Sequence, residues 1–236
     1  MSGKVFITGD KHGSFRMFFG LQEKQAAGAE DVLIIAGDAG YVMKSDYMLK
    51  IRTIEQLFPG TVCFIDGNHE NHELLSSLPV SEWNGGRVHR LSERVLHLLR
   101  GEIFDICGSR FFVLGGARSV GNHIEGLERF RGEEPTPEEI SCAQEKLYSN
   151  LGTVDYVITH EAPVSARAVI PRSKRIDKDY MLPKTLQGWL EALSQSPRFK
   201  CWYFGHMHVD MQISPDLRAV FNNVVDVETN ETVRWG

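Results

Sequence analysis

The chain has 236 residues, 42% hydrophobic and 24% charged, an ordinary globular composition with enough length to bury a full core. Its net charge of -5 gives no support to a general nucleic-acid-coating role, for which a basic balance is usual. No apolar run approaches membrane-spanning length, so no membrane partner is expected. Four separated cysteines (Cys63, Cys107, Cys142, Cys201) form no CxxC pair, which argues against a disulfide framework or a thiolate zinc site. The N-terminus lacks the apolar stretch and small-residue cleavage site of a signal peptide, and these features together predict a cytoplasmic protein.

Residues 4–8 (KVFIT) read as a strand, and residues 14–27 as a helix with Ser14 as its cap and Phe15, Phe18, Phe19 and Leu21 on one side. Residues 31–36 (DVLIIA) are an uninterrupted apolar run, the signature of a strand buried on both faces. A helix over 45–58 ends at Pro59-Gly60, and residues 61–66 (TVCFID) form the third strand. This βαβαβ order predicts parallel neighbours and an α/β fold. After the turn signal Asn84-Gly85-Gly86, β-rich runs at 87–91, 95–99, 102–106 and 110–114 read as one antiparallel meander. Residues 118–137 read as an exposed polar loop, 137–150 as a helix and 154–159 as a strand. Residues 166–178 form a basic loop read as solvated. A helix at 183–193, a strand at 200–205 and a tail of short strands complete a single predicted domain, 1–236.

Five apolar strands end in residues that ligate metals well: Gly9-Asp10-Lys11-His12, Gly37-Asp38, Gly67-Asn68-His69-Glu70, His160, and Gly205-His206-Met207-His208. Sites in open α/β sheets form just beyond the carboxyl ends of strands, so these turns are expected to converge on one crevice. A glycine before Asp10, Asp38, Asn68 and His206 lets the chain leave its strand sharply. Five of the nine histidines sit at these ends. Asp10, His12, Asp38, Asn68, His160, His206 and His208 form an oxygen and nitrogen donor set without sulfur. That set suits Mn, Fe or Zn, with Ni, Co or Mg also compatible. His72, His89, His97 and His123 lack partners at ligand spacing and are read as structural. Phe104, Phe111 and Phe112 are read as core.

These blocks, in this order, resemble the calcineurin-like metallophosphoesterases, and most of all their small bacterial and phage members. The resemblance implies a two-sheet α/β/β/α sandwich with mixed sheets. It implies one divalent or trivalent ion on Asp10, His12, Asp38 and His208, and another on Asp38, Asn68, His160 and His206, with Asp38 bridging. The expected activity is hydrolysis of phosphate mono- or diesters by a metal-bound hydroxide attacking in line with the leaving oxygen. His69 is the candidate acid for that oxygen. Asn68 and Arg118 are the candidate phosphate-binding residues, since a guanidinium fork suits a phosphate. In the protein Ser/Thr phosphatases of this superfamily the Gly-Asp motif runs on to an Asp and an Arg. Here Tyr41 and Val42 stand in those places, which puts protein phosphatase activity in doubt. The competing reading is a non-catalytic metal-binding scaffold of the same fold. It would be expected to have lost a ligand or His69, and this chain has lost neither.

Overall fold

Residues 3–24, 26–119, 132–171, 186–195 and 199–233 are described by the computed structural model. The first third folds as its apolar pattern dictates. The strands β1 (Val5–Thr8), β2 (Val32–Ile35) and β3 (Thr61–Phe64) pair in parallel. Parallel partners need a crossover, and α1 (Arg16–Glu23) and α2 (Tyr47–Leu57) supply it. After α3 (His72–Ser76), β4 (Val80–Trp83) and β5 (Gly86–Arg90) form a hairpin. Its turn residues Asn84 and Gly85 are both left-handed (φ 47° and 88°), as a tight two-residue hairpin requires.

The predicted meander divides between two sheets. The strand β6 (Val95–Leu98) pairs antiparallel with β5 but parallel with β3, in the first sheet. The hairpin of β7 (Glu102–Ile106) and β8 (Ser109–Leu114) begins the second. Alternating strands with short links look the same in sequence whether the next strand extends a sheet or starts another. The change of sheet takes only residues 99–101, with Gly101 at φ 73°.

The remaining elements are α4 (Pro137–Ser149), β9 (Tyr156–Thr159), α5 (Val164–Val169), α6 (Leu186–Ser194), β10 (Cys201–Phe204), β11 (Met211–Ser214), β12 (Leu217–Ala219), β13 (Val224–Asp226) and β14 (Glu231–Val233). The two sheets have the orders β14-β13-β1-β2-β3-β6-β5-β4 and β11-β12-β10-β9-β8-β7. Each has a parallel centre and antiparallel edges, so both are mixed.

Strand alternation distributes the core. Ile7, Ile34, Cys63 and Leu96 face Phe104, Phe111, Val113, Ile158 and Tyr203 between the sheets. The alternate residues Phe6, Leu33, Ile35 and Phe64 pack under α1 and α2. On the other side Phe112, Val157 and Trp202 pack under α4 and α6. The result is an α/β/β/α sandwich, in which each large apolar side chain withdrawn from water contributes about 1.5–3 kcal/mol. Phe104, Phe111 and Phe112 are fully buried, as expected.

Several local expectations are corrected. The first helix starts at Arg16 after Phe15, and Ser14 Oγ only accepts a 3.3 Å bond from Arg16 N. Phe19 is 57% exposed, because the buried stripe of this short helix is already filled by Met17, Phe18 and Leu21. Of the polar segment 118–137, residues 120–131 lie outside the described residues, and its described end is not simply an exposed loop. Glu133 is buried, and Thr136 forms a reciprocal cap with Glu139 that opens α4. Of the basic loop at 166–178, residues 166–169 lie in α5, and Arg167 is buried against Glu161 rather than solvated. Residues 172–178 and His123 lie outside the described residues.

Candidate metal centre

The parallel strands of both sheets deliver their C-terminal turns to one place. The turns after β1, β2 and β3 bring Asp10, His12, Asp38 and Asn68, and those after β9 and β10 bring His160, His206 and His208. Backbone geometry sets their aim. Eight non-glycine residues among the described ones have positive φ, and five of them are Asp10, His12, Asp38, His206 and His208. Such conformations are uncommon outside glycine and cost about 1–3 kcal/mol each when strained.

Asp10, His12, Asp38 and His208 each offer one ligand atom, all within 4.8 Å of one another. The Nε2 atoms of His12 and His208 are 3.1 Å apart. Asp38 Oδ2 lies 3.9 Å from His12 Nε2, and Asp10 Oδ1 lies 3.4 Å from His208 Nε2. The other oxygen of Asp38 faces a second group. His160 Nε2 is 3.5 Å from Asp38 Oδ1 and 3.1 Å from Asn68 Oδ1, and the His206 ring packs edge-on to His160 at 5.1 Å.

This donor set fits cations. Asp38 Oδ2 is buried and accepts no hydrogen bond, although its partner Oδ1 takes one from His69 N at 2.7 Å. An orphaned buried carboxylate oxygen is costly unless a cation meets it. His160 gives its Nδ1 proton to Ala36 O at 2.8 Å, which leaves Nε2 aimed at two acceptor oxygens, Asp38 Oδ1 and Asn68 Oδ1, a contact that a cation or a second proton would satisfy. Burial lowers the pKa of His12, against the pull of Asp38 and Asp10, and lowers that of His206 well below the ordinary value. Both shifts favour the neutral ring, the form that has a lone pair to offer. The hydrogen bond to Asp10 raises His208, and at His160 the Asp38 and Asp10 carboxylates outweigh burial and raise it too. In each case the site attracts positive charge.

Two glycines are fixed by this crowding. A Cβ on Gly67 would overlap Asp38 Oδ1 and stand 2.7 Å from His160 Nε2. A Cβ on Gly37 (φ 87°) would run into the His160 ring.

Residues 3–210 match the calcineurin-like phosphoesterase family. The chain belongs to that family. Among solved structures it is similar to TT1561 of Thermus thermophilus, with 11% identity and a TM-score of 0.56 over 99% of this chain and 98% of that one, a likeness of fold. It is also similar to the sulfate thiohydrolase SoxB of the same organism, with 13% identity and a TM-score of 0.39, over 97% of this chain and 40% of that one. No curated protein sequence matches significantly.

The family's members generally hydrolyse phosphoesters with divalent metals, and the surroundings of the cluster in this chain bear on that chemistry. His69 is exposed at the rim, its ring 5.8 Å from that of His12. No described side chain hydrogen-bonds that ring. Arg118 is half-buried and its charge bears on Glu134, lowering a carboxyl that burial raises. Lys11 lines the hollow beside Asp10 and His12 and donates to Phe221 O. Burial lowers its pKa to about 8, against Asp210 and Asp10. Tyr41 and Val42 are buried, and the Tyr41 hydroxyl donates to Ser14 O at 2.6 Å. Both pack in the apolar cluster with Phe18, so this turn supplies neither a carboxylate to support His69 nor a guanidinium to hold phosphate.

Sequence reading missed the supports of these turns. Glu161 follows His160 and is fully buried, accepting from Arg167 (2.7 Å) and Gln187 (3.2 Å), with Oε2 4.0 Å from His206 Nε2. A carboxylate directly after a strand-end histidine was the available signal. Glu70 Oε1 accepts from Ala39 N at 2.7 Å and so pins the Asp38 turn. His72 and His97 surround Asp66, which is held by Arg100, and His89 joins His97 at 3.0 Å.

A hollow of about 440 Å3 lined by Asp10, His12, Arg16, Phe221 and Asn222 adjoins the first cluster. A larger hollow of about 850 Å3 lies beside Glu70, His72 and Arg100 instead. Proximity to the donor atoms makes the smaller one the approach relevant to chemistry.

Proposed function

We propose that this chain hydrolyses phosphate mono- or diesters at a dinuclear metal centre. Asp10, His12, Asp38 and His208 hold one ion and Asp38, Asn68, His160 and His206 hold the other. The observation that carries the reading is the buried, unpartnered Asp38 Oδ2 facing one donor group while Oδ1 faces the second. That is the posture of a bridging carboxylate. Imidazole and carboxylate donors favour Mn, Fe or Zn. Such ions, when bound, offset phosphoryl charge and lower the pKa of water at the site.

The chain's own residues do the rest. The two sheets contribute ligands to one centre, so residues 1–236 act as one domain. The hollow beside His12 admits the ester. His69, exposed beside His12, gives a proton to the leaving oxygen. Asn68, beside the second donor group, and Arg118, whose guanidinium fork suits a phosphate, bind the phosphoryl oxygens. All four cysteines are free, which suits a reducing cytoplasm.

The test is hydrolysis of p-nitrophenyl phosphate and bis-p-nitrophenyl phosphate by metal-stripped protein, with Mn, Zn, Fe, Ni, Co or Mg returned. Activity restored by metal and absent in Asp38→Asn supports the phosphoesterase, and the monoester-to-diester ratio sets its class. Two bound ions with no hydrolysis of either ester would refute it in favour of a scaffold.

A further inference from the structure

The candidate ligand Asn68 is built into a polar chain that leaves the metal site. Its Nδ2 donates to Ser119 Oγ at 3.0 Å, and Ser119 Oγ donates to Glu133 Oε2 at 2.7 Å. Ser119 N donates to Glu133 Oε1 at 3.3 Å. Glu133 is buried and its backbone is tied down as well, since its carbonyl accepts from Ala117 N at 3.0 Å. The turns that carry Asn68 and Ser119 are joined a second time by Gly116 N donating to Asp66 O at 2.8 Å. Arg100 spans the same junction, bonding the Asp66 carboxylate and the carbonyls of Gly132 and Glu133.

The direction of this chain matters. Ser119 Oγ donates to Glu133 Oε2, so the Ser119 proton is committed to that bond. The Ser119 oxygen then offers lone pairs, and only the NH2 end of Asn68 can meet it. The carbonyl end must face inward, where it lies 3.1 Å from His160 Nε2. A flipped amide would set two acceptors against each other at Ser119 and turn N–H groups toward the cation position.

We infer that Ser119, locked by Glu133, is the positioning residue that holds Asn68 Oδ1 toward the second metal position. The inference rests on the two-ion reading of the site. Outer partners of this kind typically change metal affinity by about 10–100-fold when removed.

The experiment compares wild type with Ser119→Ala, Ser119→Thr, Asn68→Ala and the Ser119→Ala/Asn68→Ala pair. Ions per chain and the affinity of each ion are read by elemental analysis and calorimetry with Mn. Circular dichroism checks folding, and electron paramagnetic resonance reads the spin-coupled Mn pair. Ser119→Ala is expected to bind one ion normally and the other about 10–100-fold more weakly, losing the coupled signal at limiting Mn. Ser119→Thr, which keeps the hydroxyl, is expected to restore both. In the Asn68→Ala background Ser119→Ala should change nothing further. Two ions bound by Ser119→Ala at wild-type affinity would overturn the positioning role and leave the dinuclear reading intact. A wild type that binds a single ion would overturn both.

Discussion

Gly67→Ala tests the crowding at the ligand cluster with a single methyl group. The added carbon would overlap Asp38 Oδ1 and stand 2.7 Å from His160 Nε2. Ordinary carbon contacts lie at about 3.5–4.0 Å, so both ligands must retreat by roughly 1 Å. Overpacking of this kind costs about 1–3 kcal/mol, and in a chain of this size each kcal/mol lowers Tm by about 2–4 °C, so a fall of about 2–12 °C is expected. Metal binding should suffer far more, because metal–ligand distances tolerate only about 0.2 Å. Affinity for at least one ion is expected to drop by about 100-fold. Gly108→Ala is the matched control. Gly108 has φ 82° and nothing within 4 Å of an added Cβ, so only left-handed strain of about 1–2 kcal/mol applies. It should melt lower but keep both ions. The assays are scanning calorimetry and titration with Mn. If Gly67→Ala melts lower yet binds two ions at wild-type affinity, the acceptors around Asp38 and His160 are not a cation site.

Asp38→Asn should abolish tight binding of both ions, since its two oxygens face the two donor groups. Retention of one ion in elemental analysis would argue against the bridge. His69→Ala should keep both ions and lower kcat by about 10²–10⁴-fold for esters with poor leaving groups, and much less for p-nitrophenol esters. Equal losses across leaving groups would remove the acid role. Arg100→Ala strands the buried Asp66 carboxylate and should cost about 3–5 kcal/mol in urea unfolding near pH 7. Burial alone would raise Asp66, but Arg100 and His97 hold it well below the carboxylate range. A depressed folded pKa stabilises above the unfolded pKa of about 3.9 and loses that contribution as pH falls toward the folded value. The deficit of Arg100→Ala should therefore be full at pH 5–8 and shrink below about pH 4. A deficit that does not change with pH would show that the ion pair is not its source.

What the sequence made legible was local. A strand, a glycine and a ligand-type residue lie within six positions of one another, and their periodicity reports where each turn must end. Four of the five turns from Asp10 to His208 were readable for that reason, His160 by its strand alone, and the structure gathers them. The split of the meander was not readable, because strand alternation carries the face of a residue but not the identity of its sheet. The pairs Asn68–Ser119, Ser119–Glu133 and Asp66–Arg100 were hidden for another reason. They join residues 51, 14 and 34 positions apart, and each polar residue on its own looks like a surface one. Arg167 was misread likewise: a basic residue among basic residues resembles a solvated loop until Glu161 is found beneath it.

The left-handed backbone at Asp10, His12, Asp38, His206 and His208 limits how this protein can be made hardier. Glycine would relax each of those positions, but it would delete the side chain the turn exists to aim. The strain there is therefore out of reach of repair by drift or by consensus design. Left-handed Cys107, whose side chain bonds only weakly to Lys4 O and Glu30 O, has no such claim on its identity. Gains in thermal tolerance should be sought at positions of that kind, well away from the strand ends.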